Sequence, residues 1–307
     1  MHDIKVNKSG LLWYHLGAIL TILAWGVSYV STKVLLEHGL KPTEVYIYRT
    51  LLAYILVFMV CHKRILSNSL RDELLFIACG LCAGSLYFIA ENTALEYTLV
   101  SNVSLIVTLA PLITTILLGS IYKSEKPGRG FFIGSFVALL GVGFVIFNSS
   151  FVLDVKPLGD LLSLAAAVSW AVYSLVLRKL SAFYTVMFIS RKTFFYGMLT
   201  AIPFLVGQHG LTPLTVFCEP EVWMNFLFLG VFCSMLAFII WAWASKGIGA
   251  VKTNTYLYFQ PVVTLIASAL LLGEKVSVIG YTGCGLILLG VWLSDTLESR
   301  RMRSTKK

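Results

Sequence analysis

Apolar residues run along this chain in long stretches separated by short polar breaks. The runs lie near 11–36, 45–61, 73–95, 99–122, 131–148, 158–178, 183–206, 222–244, 251–272 and 277–294. Each approaches the roughly 20 residues a helix needs to cross a hydrocarbon core about 30 Å thick. The breaks hold turn formers: Gly39-Leu40-Lys41-Pro42, Lys126-Pro127-Gly128, Pro213 and Glu219-Pro220. None is long or polar enough for a separate soluble domain. The pattern predicts an all-α integral membrane protein of about ten transmembrane helices, called helix 1 to helix 10 here. The first run exceeds the 7–15 apolar residues of a secretory signal and lacks a small-x-small cleavage site, so it reads as the first span.

Composition sharpens this picture. Of 307 residues, 58% are hydrophobic and 13% charged, against roughly a quarter charged in a soluble domain. Too few polar groups remain to coat such a chain in water, so its exterior faces the lipid bilayer. The net charge of +9 does not point to nucleic acid, because Lys and Arg sit in short clusters between the apolar runs. With the N-terminus in the cytoplasm, roughly 17 basic residues fall in cytoplasmic segments and about five on the opposite side. Arg191 and Lys192 lie within helix 7. That asymmetry predicts a multi-pass protein of the cell's inner (plasma) membrane with both termini cytoplasmic.

The second half repeats the first. Ala94 to Lys126 aligns with Ala244 to Lys275, pairing Pro111 with Pro261, Thr114 with Thr264 and Glu125-Lys126 with Glu274-Lys275. Gly134, Leu139, Leu140, Gly141 and Val142 pair with Gly283, Leu288, Leu289, Gly290 and Val291. Trp25-x-Val27 pairs with Trp170-x-Val172, Lys33 with Arg178, and Arg49 with Arg191. The chain therefore divides into 1–150 and 151–307, the second part ending in a basic tail. Five spans per copy turn the second upside down relative to the first. Such inverted repeats have two near-equivalent conformations, one open to each side, which is the basis of alternating access.

These residues resemble a known family. Trp25-Gly26 with Lys33, Pro42 and Arg49 entering helix 2, and the Ala94…Pro111…Glu125 segment look like an EamA domain, and the match recurs in the second half. Two such domains make the ten-helix members of the drug/metabolite transporter superfamily, and the resemblance covers nearly the whole chain. It implies a central cavity lined by helices 1, 3, 4, 6, 8 and 9. It also implies export of amino acids, related metabolites or toxic compounds across a bacterial inner membrane.

Candidate cavity residues follow from polar positions on otherwise apolar helices, which turn toward a cavity or a neighbour where they can be satisfied. In helix 1, Trp25, Ser28, Tyr29 and Thr32 share one face, and helix 6 repeats the stripe with Trp170, Tyr173 and Ser174. Packing glue between helices is the plain alternative. In helices 4 and 9, Ser101, Ser104, Thr108 and Pro111 face the same way, with Val251, Asn254, Tyr258 and Pro261 as counterparts. Asn102 and Gln260 add amides. Internal proline predicts a kink that frees a backbone carbonyl.

Glu91 is the leading functional candidate, beside Asn92 and one turn from Tyr87, with Trp241 at the matched position. A charge at mid-membrane costs about 2.5–3.5 kcal/mol on insertion scales, so an intramembrane carboxylate marks function by default. It reads as a binder of a substrate ammonium or a proton-coupling site, the structural alternative being an ion pair with Arg49. Arg49 and Arg191 could hold a substrate carboxylate, but their symmetry equally suits structural ion pairs at opposite membrane faces, which is the reading favoured; Lys33 and Arg178 read as snorkelling side chains. Gly134, Gly141, Gly283 and Gly290 fall seven apart, which predicts close packing between the halves or a homodimer contact.

Other chemistry is missing. Cys79-x-x-Cys82 has no second pair or nearby His to complete a metal site, so no metal or cofactor is expected. There is no H-E-x-x-H, G-x-S-x-G or intramembrane aspartate pair, which argues against an enzyme, and no P-loop, so ATP does not drive transport directly. The reading is a secondary-active exporter of small polar metabolites. An importer, a nucleotide-sugar carrier or a non-transporting scaffold are the alternatives. A nucleotide-sugar carrier would want basic residues deep in the cavity, where aromatic, hydroxyl and amide groups dominate here.

Overall fold

A computed structural model describes residues 8–97, 103, 106–122, 126–147, 157–208, 210–271 and 277–304. Among the described residues the regular structure is all helical. The elements are α1 (Lys8–Glu37), α2 (Pro42–Val60), α3 (Leu70–Gly80), α4 (Leu86–Tyr97), α5 (Ala110–Ile121), α6 (Arg129–Phe147) and α7 (Pro157–Leu180). There follow α8 (Val186–Gly207), α9 (Pro220–Leu227), α10 (Ala237–Ile248), α11 (Ala250–Thr255), α12 (Gln260–Leu271) and α13 (Val278–Ser304). Five uninterrupted helical stretches are long and apolar enough to cross a bilayer: Leu11–Glu37, Pro42–Val60, Leu70–Ala94, Pro157–Leu180 and Pro220–Ile248. Shorter apolar helices join them. Leu270 and Val278 stand 80% and 81% exposed, and Phe136 and Trp292 are also on the outside. An exterior of this kind is compatible with lipid and not with water, so the chain is a multi-pass membrane protein.

Two of the long stretches contain π-helical turns, Leu81–Ser85 between α3 and α4, and Phe228–Leu236 between α9 and α10. Such turns widen the helix and leave backbone groups to be satisfied from outside. The outside partners come from α1 and α7. The Trp25 indole N–H donates to the Cys233 carbonyl at 3.0 Å, and the Ser169 hydroxyl donates to the Cys82 carbonyl at 2.7 Å.

The predicted proline kinks take another form. Pro111 and Pro261 sit in the first turns of α5 and α12, where a missing N–H costs nothing. Each follows a tight segment: the Leu109 N–H reaches the Ile106 carbonyl at 3.0 Å, and Tyr256–Phe259 forms a 3-10 turn. Helices 4 and 9 are thus broken just before each proline.

The glycines predicted to allow close packing join α6 to α13 within the chain. A Cβ on Gly134 would lie 2.5 Å from the Gly290 carbonyl oxygen, and one on Gly141 would lie 2.6 Å from that of Gly283. The glycine face is therefore filled by the matched helix of the other half.

Candidate functional site

The side chains that α1 and α7 bring inward form an aromatic centre. The Trp25 ring meets Trp170 edge-on at 5.3 Å between centroids, Trp241 at 5.1 Å and Phe238 at 5.5 Å. Trp170 also meets Tyr87 at 5.4 Å and Tyr173 at 5.1 Å. Its indole N–H donates to Asn254 Oδ1 at 2.8 Å, and the Asn254 amide donates to Ser174 Oγ at 3.2 Å and to the Ala250 carbonyl at 2.8 Å. Both halves thus contribute rings to one centre, and buried amides and hydroxyls fix those rings.

Beside this centre opens a cavity with about 790 Å³ of empty space, part of it open to the exterior. Of the residues expected from sequence, Trp25, Ser28, Tyr29, Glu91, Asn92, Thr108, Trp170 and Gln260 line it, and Thr32 completes the α1 stripe. Four others lie in the packing behind the wall. Tyr173 and Trp241 are fully buried in the aromatic centre, and Asn254 is spent on Trp170, Ser174 and Ala250. Tyr258 packs with Ala138, Val142 and Ile287 in a second cluster. A polar stripe of α-helical period does not distinguish a lining side chain from the one behind it, and the 3-10 turn at Tyr256–Phe259 rotates Tyr258 off the expected face. Asn102, Ser101 and Ser104 fall outside the described residues, as do Glu125 and Glu274.

The cavity wall also includes residues that the stripes did not select: Arg49, Phe88, Phe238 and Leu257. Both broken helices reach the cavity at their breaks, through Val107, Thr108 and Ala110 on one side and Leu257, Gln260 and Pro261 on the other. Interrupted helices at a cavity are where transporters expose backbone groups to a solute.

Two opposite charges share the wall. Glu91 Oε1 accepts from the Tyr29 hydroxyl at 2.8 Å and the Tyr87 hydroxyl at 2.9 Å. The Arg49 Nε donates to Ser234 Oγ at 2.7 Å, and its guanidinium lies 4.9 Å over the Phe88 ring. Both side chains are buried from the exterior, yet the ion pair weighed as the structural alternative for Glu91 does not form. Arg191 anchors structure, through carbonyls in place of the ion pair expected: its terminal amino groups donate to the carbonyls of Cys61 and Arg64. Arg178 lies 3.9 Å over the Tyr122 ring, and Lys33 pairs with exposed Glu37 at 3.9 Å.

The two halves also clasp each other at both ends of the bundle, since α2 starts in one clasp and ends in the other. At the first, Thr212 donates through its N–H to Glu44 Oε1 at 2.7 Å and through its hydroxyl to the Gly39 carbonyl at 3.0 Å. There His38 Nε2 faces Glu219 at 3.3 Å and Glu221 at 3.9 Å, while its Nδ1 lies 2.8 Å from the Val34 carbonyl. The bond to that carbonyl, with the Glu219, Glu221 and Glu37 carboxylates nearby, raises the His38 pKa above the ordinary imidazole value. At the other end, Glu73 accepts from Lys192 and Tyr196, and Asp72 accepts from the Tyr184 hydroxyl at 2.7 Å. Each clasp joins the entry of one span and its preceding turn to the loop and helix start of another.

Comparison with known proteins now identifies the family. The sequence profile of the EamA-like transporter family matches this chain twice, over residues 12–147 and 157–295. The chain belongs to the EamA-like transporter family. Among curated relatives, an "uncharacterized transporter" of Archaeoglobus fulgidus is 27% identical over 92% of this chain and 98% of its own length. A "probable amino-acid metabolite efflux pump" of Escherichia coli is 24% identical over 94% of this chain and 95% of its own. A "probable terminal-alkyne amino-acid exporter" of Streptantibioticus cattleyicolor is 24% identical over 98% of this chain and 99% of its own. A solved crystal structure superposes with a TM-score of 0.75 over 92% of this chain and 98% of the other at 18% identity, a likeness of fold alone. EamA-like relatives are named as transporters, which agrees with a chain built around a cavity. Among the described residues no group of three or more His, Cys, Asp or Glu side chains is placed to hold a metal.

Proposed function

We propose that this chain is a secondary-active carrier that exports small polar metabolites, such as amino acids or related toxic compounds, by alternating access. The observation that carries the reading is a cavity lined by both halves of the chain, holding a carboxylate and a guanidinium that do not neutralise each other. The exporter names of relatives at 24% identity support the direction.

The architecture in this reading is about ten spans in two inverted five-helix repeats, residues 1–150 and 151–307. Three matched features support it: the two π-helical turns, the two helix breaks before proline, and the two clasps. Each pair involves corresponding elements of the two halves, and the clasps lie at opposite ends of the bundle, as a two-fold axis in the membrane plane requires. The distribution of Lys and Arg supports an inner-membrane protein with both termini cytoplasmic and the His38 clasp outside. Glu91 serves the cycle as a binding or proton-coupling carboxyl. With the glycine face of α6 and α13 filled internally, any homodimer contact uses their outer, apolar surfaces.

The test compares extracellular metabolites from cells producing the wild-type chain with those producing Glu91→Ala at matched membrane levels. A compound enriched outside only with wild type supports export with Glu91 in the solute path. Equal enrichment in both cultures leaves export standing and removes Glu91 from that path. If neither culture differs from an empty-vector control, export is overturned, and uptake of the same compounds becomes the measurement.

A further inference from the structure

The repeat made Arg49 and Arg191 equivalents, yet only Arg191 is consumed by the fold. The Arg49 guanidinium is held on one edge, through Nε to Ser234 Oγ at 2.7 Å, with its face on Phe88 at 4.9 Å. Among the described residues neither of its terminal amino groups meets an acceptor. The fork is therefore oriented and buried, and points into the cavity it lines with its strongest donors unused. A guanidinium offers two parallel N–H groups in the spacing of a carboxylate's two oxygens, which is the arrangement that binds such a group bidentately.

Glu91 is arranged in the complementary way. Both tyrosine hydroxyls donate to the same oxygen, Oε1, and among the described residues Oε2 has no partner. Tyr29 comes from α1 and Tyr87 from α4, one turn before Glu91, so the carboxylate is fixed from two elements while one oxygen still faces the cavity. A cation placed there would meet a charged acceptor already oriented. Trp25, Phe88, Trp170 and Phe238 give the same cavity a large aromatic surface, beside the hydroxyls and amides already named.

Two unlike charges in one poorly hydrated space normally collapse into an ion pair, because each is costly to leave alone. Here Ser234 and Phe88 hold one charge and two tyrosines hold the other, so they stay apart. We infer that Arg49 and Glu91 are the anion and cation poles of a divided binding site, so the solute carries a carboxylate and an ammonium on one small molecule with an apolar remainder. Such a solute satisfies both poles together and replaces the missing ion pair. A solute with only one of the charges leaves the other pole buried and uncompensated, which disfavours it strongly. Arg49 is thereby a specificity-determining residue and Ser234 its positioning partner.

This inference rests on the carrier reading. Its test uses the full chain in proteoliposomes, measuring both saturable flux and thermal stabilisation. Four probes are compared: L-leucine, L-phenylalanine, L-leucinamide (ammonium only) and N-acetyl-L-leucine (carboxylate only). At least one of the two zwitterions should bind at least tenfold more tightly than either single-charge analogue. Arg49→Gln should erase most of the preference over the amide, and Glu91→Gln most of the preference over the N-acetyl compound. Ser234→Ala should weaken the zwitterion less than Arg49→Gln and keep the order of preference. Equal binding of the amide or the N-acetyl compound by wild type overturns the divided site, and so does undiminished discrimination in Arg49→Gln. If a single-charge analogue crosses saturably while neither zwitterion does, the carrier stands and the divided site falls. If no probe binds or crosses, the divided site also falls, and the carrier reading is judged by the metabolite comparison above. The wild-type probe series decides the matter even where a variant does not fold.

Discussion

Arg49 and Arg191 occupy the same place in the two halves of the chain, on α2 and α8, and their surroundings have diverged. Arg191 closes a clasp at the bundle end by donating to the carbonyls of Cys61 and Arg64. Arg49 faces the cavity, held only by Ser234 and the Phe88 ring. Glu91 and Trp241, also equivalents, diverge likewise: one is a cavity carboxylate and the other a buried indole whose N–H has no partner among the described residues. By contrast, the π-helical turns, the broken helices and the glycine contacts recur on both sides. The backbone features that permit bending are shared between the halves, while both charged side chains on the cavity wall belong to one. Two matched halves can keep their mechanical parts alike and differ in the side chains that line the cavity.

The largest effect expected of this comparison is at the Arg191 end. Breaking a buried ion pair from one side costs about 3–5 kcal/mol, so Glu73→Ala, which strands Lys192, should lower stability by about that much in reversible unfolding from lipid nanodiscs. Arg191→Met should cost about 3 kcal/mol, since hydrogen bonds from a charged donor contribute about 1.5–3 kcal/mol each. Arg49→Met should cost less, because the charge it removes makes one hydrogen bond to the fold where that of Arg191 makes two. Equal losses for the two arginines would break the comparison.

The glycine contacts test the symmetric part. The equivalents Gly141→Ala and Gly290→Ala press against each other's helices, with the nearest backbone atoms 2.4–2.6 Å from the new Cβ. Overpacking of this kind costs about 1–3 kcal/mol. The two substitutions should agree closely, while Gly285→Ala, which meets only open space, should be silent. A loss at one glycine and not at its mate would contradict symmetric packing.

The smallest effect is at the exposed His38 clasp, where acceptors face both ring nitrogens and only the protonated ring donates to both. Its pKa is raised in the folded chain above the ordinary value of about 6.5. Its contribution is therefore complete below about pH 6.5 and fades as pH climbs through the raised value. His38→Gln should be distinguishable from wild type at pH 6 and indistinguishable at pH 9 in unfolding experiments. A difference that grows with pH would show that neutral His38 makes the contact.

Much of this was legible in the chain. The spans emerge from hydropathy because lipid tolerates little else, and Pro111, Pro261 and the glycine spacing announced the breaks and the close crossing. Glu91 and the α1 stripe were visible because polar groups are rare on such helices. Depth was less legible. Trp170 and Tyr173 are neighbours on one helix face, and only packing against Phe238 and Asn254 decides which of them touches the cavity. The π-helical turns left no signal in residue type, since they depend on carbonyl partners distant in sequence. The free fork of Arg49 was hidden for the same reason: its difference from Arg191 lies in Ser234, 185 residues away.

The most direct test of alternating access is a pair of distance measurements by electron spin resonance on the chain in nanodiscs, with the native cysteines replaced. One label pair at Glu37 and Leu214 spans the His38 clasp, and one at Lys63 and Phe183 spans the Arg191 clasp. All four positions are exposed. The account predicts two distance populations at each end, such that any condition lengthening one pair shortens the other. Distances that lengthen together, or that stay single at both ends under all conditions, would contradict it.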